Sequence, residues 1–493
     1  MLTTIRSRLG LEQALVLAVV AAAAVTRFGW LDLMEFKGDE AEASRLALHA
    51  LGFTEPGVGR FFPTEGLTSS VGVPNPPLFV YIVALPMTIV RSPIAAAALI
   101  AATNVVAVWL CYLVGCRYYS RFTGVAAAAL FALSPWSIIF SRKVWAQDLL
   151  PLLTTLWLLE LHALVVRRRP VAIFWLIVIL TVATQLHFSA WVLLPILIAA
   201  AVIARNAFSL RWFALGLAVA IALYAPFLIE HWHEISHSVT HRSPSPVSPE
   251  LRFLHTVRVL AAIVGGDTLS TLLGSQSRLA IPLTAVLFPA ACIGLVIAVR
   301  GGTRRVVQAR ALLVVWFGLP VVVLTLLRTE AYIHYFIIVL PLPFLGIALT
   351  VEAATRSRRR LAAGLIAVVL VGFLVLDVGF FRTVIQDQGA PGVYGSGYRF
   401  KESAGHAIAR ESRGRPYVIA ANGDLIPDPQ VDAIRFLVWN ADPNRVVPQG
   451  KPELGFVVLD RTPTPAALRR DRQSRYGPLE LIEVPLKPGK QTQ

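Results

Sequence analysis

Two acidic residues, Asp39 and Glu40, stand within residues 37–45 (KGDEAEASR), shortly after the first long apolar run of the chain. A carboxylate held at a membrane surface can remove the proton of an acceptor hydroxyl, which is general base catalysis. A structural role fits the same residues, because Asp39 as N-cap with Glu42 three positions later forms a capping box. The pattern supports both roles, and one does not exclude the other.

A second acid, Asp148, ends residues 141–148 (SRKVWAQD) at the start of another apolar run. An acid at a helix N-terminus is favoured by the helix dipole, by about 0.3–1 kcal/mol, so a structural role again fits. Arg142 and Lys143 stand beside it, however. An acid for a hydroxyl and cations for a phosphate suit group transfer from a lipid phosphate.

Three further groups lie at the predicted ends of apolar helices. They are residues 73–81 (VPNPPLFVY), His187 in residues 185–189 (QLHFS), and residues 328–335 (RTEAYIHY). Prolines commonly begin helices, and a His or Tyr at a helix end is usually an interface anchor. The histidines of the segment that follows residue 230 lack an i, i+4 pair around a Glu, so no zinc site is predicted there: His231, His233, His237 and His241.

The composition requires that membrane helices position these residues. Of 493 residues, 56% are hydrophobic and only 15% are charged, whereas soluble domains are about a quarter charged. Many apolar runs have ~17–22 residues, enough to cross a bilayer. Soluble enzymes, coiled coils and disordered proteins are therefore excluded. The net charge of +16 comes from arginine clusters between the runs, which indicates topology and not nucleic-acid binding.

Every second loop is rich in arginine, and assigning all of these loops to the cytoplasm gives a polytopic α-helical protein with its N-terminus in the cytoplasm. The apolar segment within 77–90 is only ~14 residues long and stays in a first outer loop, 31–92. We predict about eleven membrane helices, with a range of ten to thirteen: 12–30, 93–116, 123–140, 149–166, 171–187, 189–204, 212–229, 279–299, 311–328, 334–354 and 361–380.

The chain divides into a membrane domain, residues 1–383, and an extracytoplasmic α/β domain, residues 384–493. A second long outer loop, 230–278, contains a predicted amphipathic helix at 250–264. In the C-terminal domain, β-like and helical patterns alternate. The predicted strands are 416–421, 455–459 and 479–484, and the predicted helices are 400–409 and 430–437.

The order of these motifs resembles the GT-C glycosyltransferases. An N-terminal span, Asp-Glu in the first outer loop, a Pro-Pro-Leu helix and Ser-Arg-Lys-x-x-x-x-Asp follow one another over residues 1–354. The likeness is greatest to bacterial glycosyltransferase family 39, which is related to protein O-mannosyltransferases and lipid A aminoarabinose transferases. Residues 72–81, 133–136 (LSPW) and 334–343 (HYFIIVLPLP) add to it. The C-terminal domain resembles no family that we can name.

This resemblance implies the GT-C fold and transfer of a sugar, with inversion, from a polyprenyl-phosphate donor to an acceptor hydroxyl on the outer face. Asp39 would be the general base, and Glu40 would support it. Asp148, Arg142 and Lys143 would organise the part of the cavity that holds the lipid phosphate.

The chain departs from aminoarabinose transferases at Asn75, where those enzymes have a Lys that meets the phosphate. The phosphate contact must then come from other residues, and we name as candidates Asn75, Arg60, His187, Arg328, His334 and Tyr335, besides Arg142 and Lys143. Metal dependence stays open: the resemblance implies no cofactor, but Asp39 and Asp148 could share a divalent cation. No G-x-G-x-x-G loop opens a helix.

These expectations place the protein in the bacterial cytoplasmic membrane, as a multi-pass enzyme of the cell envelope. Its partners are the lipid-linked donor, membrane lipids and an acceptor that is a protein, lipid or glycan. Nucleic acid is not expected. Two alternatives stay open, a lipid or solute transporter or flippase and a non-catalytic scaffold, although no internal repeat supports a transporter.

Overall fold

The computed structural model of the chain describes residues 2–55, 58–69, 72–240, 247–274, 278–356, 358–421, 429–441 and 452–486. The part of the chain before residue 387 is helical apart from its loops. Its helices are α1 (Leu2–Phe28), α2 (Gly38–Ala50), α3 (Leu78–Met87), α4 (Pro93–Tyr118), α5 (Arg121–Leu133), α6 (Pro135–Phe140), α7 (Leu150–Val165), α8 (Ala172–Leu186), α9 (Leu193–Ile203), α10 (Leu210–Thr240), α11 (Pro249–Gly265), α12 (Leu269–Leu273), α13 (Ala280–Ile297), α14 (Arg304–Leu326), α15 (Pro341–Ala354) and α16 (Arg359–Gln386).

Each of the eleven predicted spans overlaps at least one of these helices. Within the described residues, seven helices are long and apolar enough to cross a membrane, and a bent pair makes an eighth. The pair joins Ile333–Val339 to α15 at an angle of 64°. The other three predicted spans contain the shorter apolar helices α5, α8 and α9. The polytopic helical architecture is confirmed.

Local sequence explains where several helices begin and how closely they pack. Ser92 precedes Pro93 at the start of α4, and its hydroxyl oxygen accepts the backbone N–H of Ile94 at 3.3 Å, as N-cap residues do. Helices α13 and α15 touch at Gly294 and Gly346. A Cβ on Gly294 would lie only 1.8 Å from the carbonyl oxygen of Gly346, so glycine is required for this approach.

The two long loops contain further helices. Helix α3 has ten residues, about 15 Å at 1.5 Å per residue, and its shortness agrees with the predicted length of this apolar segment. Helix α10 runs to Thr240, beyond the predicted end at 229, and α11 covers the predicted amphipathic helix. His241 lies outside the described residues.

The C-terminal part forms a small α/β domain. Its elements are β1 (Gly389–Ala390), β2 (Gly395–Ser396), α17 (Tyr398–Glu411), β3 (Tyr417–Ala421), α18 (Pro429–Ala441), β4 (Leu454–Asp460), β5 (Arg472–Tyr476) and β6 (Leu479–Pro485). The main sheet has the order β3-β4-β6-β5, in which β3 and β4 are parallel and the other pairs are antiparallel. All three predicted strands and both predicted helices are present, but β5 (RQSRY) was missed because it has no apolar alternation.

Helices α17 and α18 join this domain to the membrane domain. Ile434 and Val438 of α18 pack in the core that includes the sheet. Phe436 and Leu437 of the same helix pack in the large core that includes α2 and the membrane helices. The C-terminal domain therefore shares a hydrophobic core with the segment that carries Asp39.

Candidate active site

A cavity of about 760 Å³ opens between the first long loop, the α8–α9 region, α14 and the bent pair. Its walls are mostly apolar, as in most ligand sites. Five of the predicted site residues line it: Asp39, Asn75, His187, His334 and Tyr335. Among the described residues that line the cavity, Asp39 is the only Asp, Glu, Lys or Arg.

Asp39 lies in the first turn of α2 but does not cap it. The cap residue is Lys37, whose backbone N–H donates to the Glu40 carboxylate at 2.8 Å. The predicted box of Asp39 and Glu42 is wrong by two residues, and Glu42 instead pairs with Arg45 at 2.6 Å. The Asp39 side chain is exposed to the cavity, and no hydrogen bond within the described residues engages it.

An acid–lysine cluster lies directly beside Asp39. Glu35 sits between two lysines, bonded to the Lys37 ammonium through one oxygen and to Lys143 through the other at 3.3 Å. The Lys143 ammonium also lies 3.0 Å from the ring centre of Trp145, a cation–π contact. The cluster comprises Glu35, Lys37, Glu40, Lys143 and Asp148.

Burial and charge set the titration of the acids in this cluster. Burial would raise the pKa of Glu35, but Lys143 and Lys37 outweigh it and hold that pKa below its usual value. Burial raises the pKa of Asp39, and Glu35 adds to this while Lys143 opposes it. Burial, with Glu35 and Asp39, raises the pKa of Glu40 to about 7, against the pull of Lys143. Groups with such shifts are typical of functional sites.

Asp148 is buried with neither carboxylate oxygen hydrogen-bonded within the described residues. Its backbone carbonyl is held by the side-chain amide of Asn104 in α4 at 2.8 Å, and its charge interacts with Lys143 and Glu40. Buried unpaired carboxylates are costly and rarely retained without a role. Asp148 belongs to the acid–lysine cluster and does not line the cavity.

A second group, the histidine wall, faces the cavity without formal charge. It consists of Trp145, His187, His334 and Tyr335, whose rings form a contiguous group with His334 4.7 Å from Tyr335 and 5.4 Å from Trp145. The His187 Nδ1 accepts the Ser189 backbone N–H at 3.2 Å. In the neutral ring the other nitrogen, Nε2, then carries the proton and can donate it.

Three predicted phosphate ligands lie elsewhere. Arg142 is buried, and its guanidinium donates to the carbonyls of Thr26, Arg27, Gly29 and Trp30 at the end of α1. These carbonyls lie at or just after the end of α1, and Arg142 does not line the cavity. Arg60 and Arg328 are exposed and do not line the cavity.

Sequence reasoning also missed a group of three possible metal ligands. Ligand atoms of Glu65, His231 and Glu234 all lie within 4.8 Å of one another. The His231 Nδ1 is 3.3 Å from Glu234 and 3.6 Å from Glu65. Glu65 comes from the first long loop, so no local spacing around His231 could reveal it. Asp39 and Asp148 form no such group within the described residues.

Known proteins share parts of this sequence and its architecture. Residues 74–230 match the family model of dolichyl-phosphate-mannose-protein mannosyltransferase. No curated protein sequence matches the chain. The structure resembles ArnT from Cupriavidus metallidurans in the apo state, with 13% identity, a TM-score of 0.57 and coverage of 96% of this chain and 98% of that chain.

Two further structures give the same fold. ArnT from Cupriavidus metallidurans bound to undecaprenyl phosphate has 15% identity and a TM-score of 0.53, over 95% of this chain and 97% of that chain. The Archaeoglobus fulgidus oligosaccharyltransferase in complex with Zn and sulfate has 12% identity and a TM-score of 0.52, over 90% of this chain and 68% of that chain. The chain therefore has the GT-C fold of these structures.

Proposed function

We propose that the protein transfers a sugar from a polyprenyl-phosphate donor to an acceptor hydroxyl, with inversion. The observation that carries the proposal is the position of Asp39, the one charged side chain among the described residues that line a large apolar cavity. Apolar walls suit an isoprenoid chain, and a single carboxylate suits the activation of a hydroxyl. The similar ArnT structure contains undecaprenyl phosphate.

In the proposed reaction, Asp39 takes the proton of the acceptor hydroxyl as its oxygen attacks the anomeric carbon of the donor. The bond between that carbon and the phosphate oxygen breaks on the opposite side, which inverts the anomeric centre. Its electron pair leaves with the polyprenyl phosphate. Since the phosphate is already a good leaving group, the protein has to position it and stabilise its charge.

The proposed phosphate contacts are neutral donors of the cavity. His187 can donate from Nε2, and Asn75, His334 and Tyr335 line the same space. Lys143 does not line the cavity, but its ammonium lies on the ring of Trp145, which does. We therefore assign Lys143 a long-range electrostatic role. Asn75 itself donates to the Leu67 carbonyl at 2.7 Å, while its own oxygen is buried without a partner in the described residues.

The reaction is proposed to occur on the extracytoplasmic side of a bacterial cytoplasmic membrane. The support is the arginine-rich loops, among them residues 167–169 between α7 and α8, which the positive-inside rule assigns to the cytoplasm. Asp39 and the C-terminal domain then share the outer face. The acceptor is a protein, lipid or glycan that carries a free hydroxyl.

We also propose that Glu65, His231 and Glu234 bind a divalent cation. One imidazole nitrogen and two carboxylates suit zinc and similar metals, and the three ligand atoms are close enough to share an ion. A cation there would join the first long loop to α10. Its role is structural, because none of the three residues lines the cavity.

The test is turnover of a panel of radiolabelled polyprenyl-phosphate sugars by the purified protein in lipid, with cell-extract acceptors. The wild type should turn over one donor of the panel. Asp39→Asn should lower the rate with that donor about 10²–10⁴-fold. Asp32→Asn is the matched control, since Asp32 lies seven residues earlier and pairs at the surface with Arg399 at 3.1 Å.

Two results would contradict the proposal. One is full turnover by Asp39→Asn. The other is that every donor survives intact with the wild type while a substrate accumulates in proteoliposomes, which would indicate a transporter.

A further inference from the structure

The C-terminal domain holds the main chain of the loop that leads to Asp39. Three carbonyls within four residues of this loop accept hydrogen bonds from it. The Tyr394 hydroxyl donates to Leu33 at 2.7 Å, the Tyr398 backbone N–H donates to Met34 at 3.0 Å, and the Lys401 ammonium donates to Phe36 at 2.7 Å. The loop is therefore fastened by its backbone as well as by packing.

The same loop is held from the membrane domain by the acid–lysine cluster. Glu35 bonds to Lys143, which follows α6, while the next residue, Phe36, bonds to Lys401 of α17. These two attachments lie on consecutive residues, only three and four positions before Asp39. The catalytic carboxylate thus follows a segment that is clamped between the two domains.

Lys401 is the unusual member of this clamp. It is completely buried, and a lysine is almost never buried without a specific partner. Burial lowers its pKa to about 8, with Asp460, Glu40 and Glu35 opposing the shift and Lys37 adding to it. Within the described residues, its hydrogen bond goes to the Phe36 carbonyl. An apolar side chain would fill the same space at less cost but would leave that carbonyl unsatisfied.

Aromatic contacts hold the adjoining helix against the same domain. Phe36 packs against Tyr398 and Phe436, with ring centres 5.1 and 5.9 Å apart. Trp439 of α18 stacks on His49 of α2 at 5.6 Å. Packing of this kind fixes the position of α2, but the extended residue between Phe36 and α2, Lys37, still depends on the backbone contacts of the loop.

We propose that Lys401 is a positioning residue for the transfer reaction, holding the Phe36 carbonyl so that the following residues present Asp39 to the cavity. The C-terminal domain is then part of the catalytic apparatus, in addition to any contact it makes with the acceptor. This inference rests on the proposed function of Asp39. Its physical basis is that displacing a reacting group by about 1 Å can cost about 10²-fold in rate.

The experiment compares Lys401→Met, Lys401→Arg and Tyr394→Phe in the full-length protein in lipid, with Arg435→Gln as a control. Arg435 carries an exposed pair with Asp432 on α18. For each variant, kcat and KM are measured with the donor that the wild type uses, together with Tm and amide hydrogen exchange over residues 34–41.

Lys401→Met should lower kcat about ten- to hundred-fold, since it removes a hydrogen bond from a charged donor. The donor KM should stay within about two-fold, because the cavity wall is unchanged. Exchange over residues 34–41 should become faster. Lys401→Arg should restore part of kcat, Tyr394→Phe should lower kcat by about three-fold, and Arg435→Gln should match the wild type.

Unchanged kcat in folded Lys401→Met would overturn the inference. The inference would also be overturned if the loss of activity equalled the loss of folded protein while amide hydrogen exchange over residues 34–41 stayed as in the wild type. Lys401 would then have a purely structural role. If the wild type turns over no donor, the proposed function fails. Hydrogen exchange then decides separately whether Lys401 orders the loop.

Discussion

The acid–lysine cluster and the histidine wall differ in charge and in exposure. Glu35, Glu40, Lys143 and Asp148 of the cluster are buried and do not line the cavity. The members of the histidine wall all line it and carry neutral aromatic rings. Asp39 connects the two, because it is next to the cluster in sequence and open to the cavity. The protein keeps most of its charge out of the space proposed for a lipid chain.

This separation matches the different requirements of the two groups. A charged wall would disfavour the apolar part of a lipid, whereas ring N–H and hydroxyl donors can bind a phosphate without a fixed charge. The buried charges act over a distance by setting the ionisation of Asp39. If this interpretation is correct, changes in the cluster should alter kcat and pH dependence, and changes in the wall should alter KM.

The largest effect is expected for Lys143→Met. Lys143 lowers the pKa of Asp39, against burial and Glu35, so its loss should raise that pKa further. We expect kcat at pH 7 to fall and its rising limb to move to higher pH, because a smaller fraction of Asp39 is then ionised. The measurement is the pH profile of kcat, with Lys143→Arg as the charge-retaining control. An unmoved limb would refute an electrostatic role.

Glu40→Gln should stabilise the protein at high pH. Burial raises the pKa of Glu40 from 4.5 to about 7. As the pH rises, the unfolded chain therefore loses this proton at a lower pH than the folded protein does. The folded state loses stability as pH rises from about 4.5 to 7, by roughly 3 kcal/mol, and the loss is constant above that. The Tm of the variant should equal that of the wild type near pH 4.5 and exceed it above pH 7. A difference that does not change with pH would exclude this cause.

The histidine wall should affect binding more than chemistry. His187→Ala and His334→Ala each remove one proposed phosphate donor, worth about 0.5–1.5 kcal/mol, so KM for the donor should rise up to about ten-fold at nearly constant kcat. His233→Ala is the control, since His233 is exposed on α10 and does not line the cavity. Lower kcat with unchanged KM would place these histidines in the chemical step instead.

The smallest effect is expected at the proposed cation site. Zinc added to the metal-free protein should raise Tm by about 1–2 °C, because an ion that binds only the folded state stabilises it. Glu65→Gln and His231→Ala should remove this response, and His237→Ala, outside the group of possible ligands, should retain it. An identical zinc response in all variants would show that the ion binds elsewhere.

Some of the residues that line the cavity could be expected from local sequence position. His187, His334 and Asn75 lie at helix ends, and the alternation of arginine loops placed them on the same side as Asp39. Their presence in one cavity agrees with that reasoning. The pattern of Asp39 and Glu42 misled because a capping box two residues earlier, at Lys37 and Glu40, satisfies the helix instead.

Other residues could not be assigned because their partners are distant in sequence. In the sequence, Arg142 has no evident partner. In the structure it donates to carbonyls at the end of α1, more than 100 residues away. Glu65 joins His231 across a similar separation. Glu35 offered a weak signal, an isolated acid within LMEFK, but its role depends on Lys143.

The short helices α8 and α9 have a consequence for the membrane itself. Helix α8 has 15 residues, and α9 with the preceding helical turn Phe188–Val192 forms an apolar helix of 16 residues, about 22 and 24 Å at 1.5 Å per residue, whereas the hydrocarbon core of a bilayer is about 30 Å thick. Short hydrophobic segments thin the bilayer around them. Residues of both helices line the cavity, so the lipid head groups should come closest to the protein midplane on this side. The proposed isoprenoid carrier would then move its phosphate the shortest distance to reach Asp39.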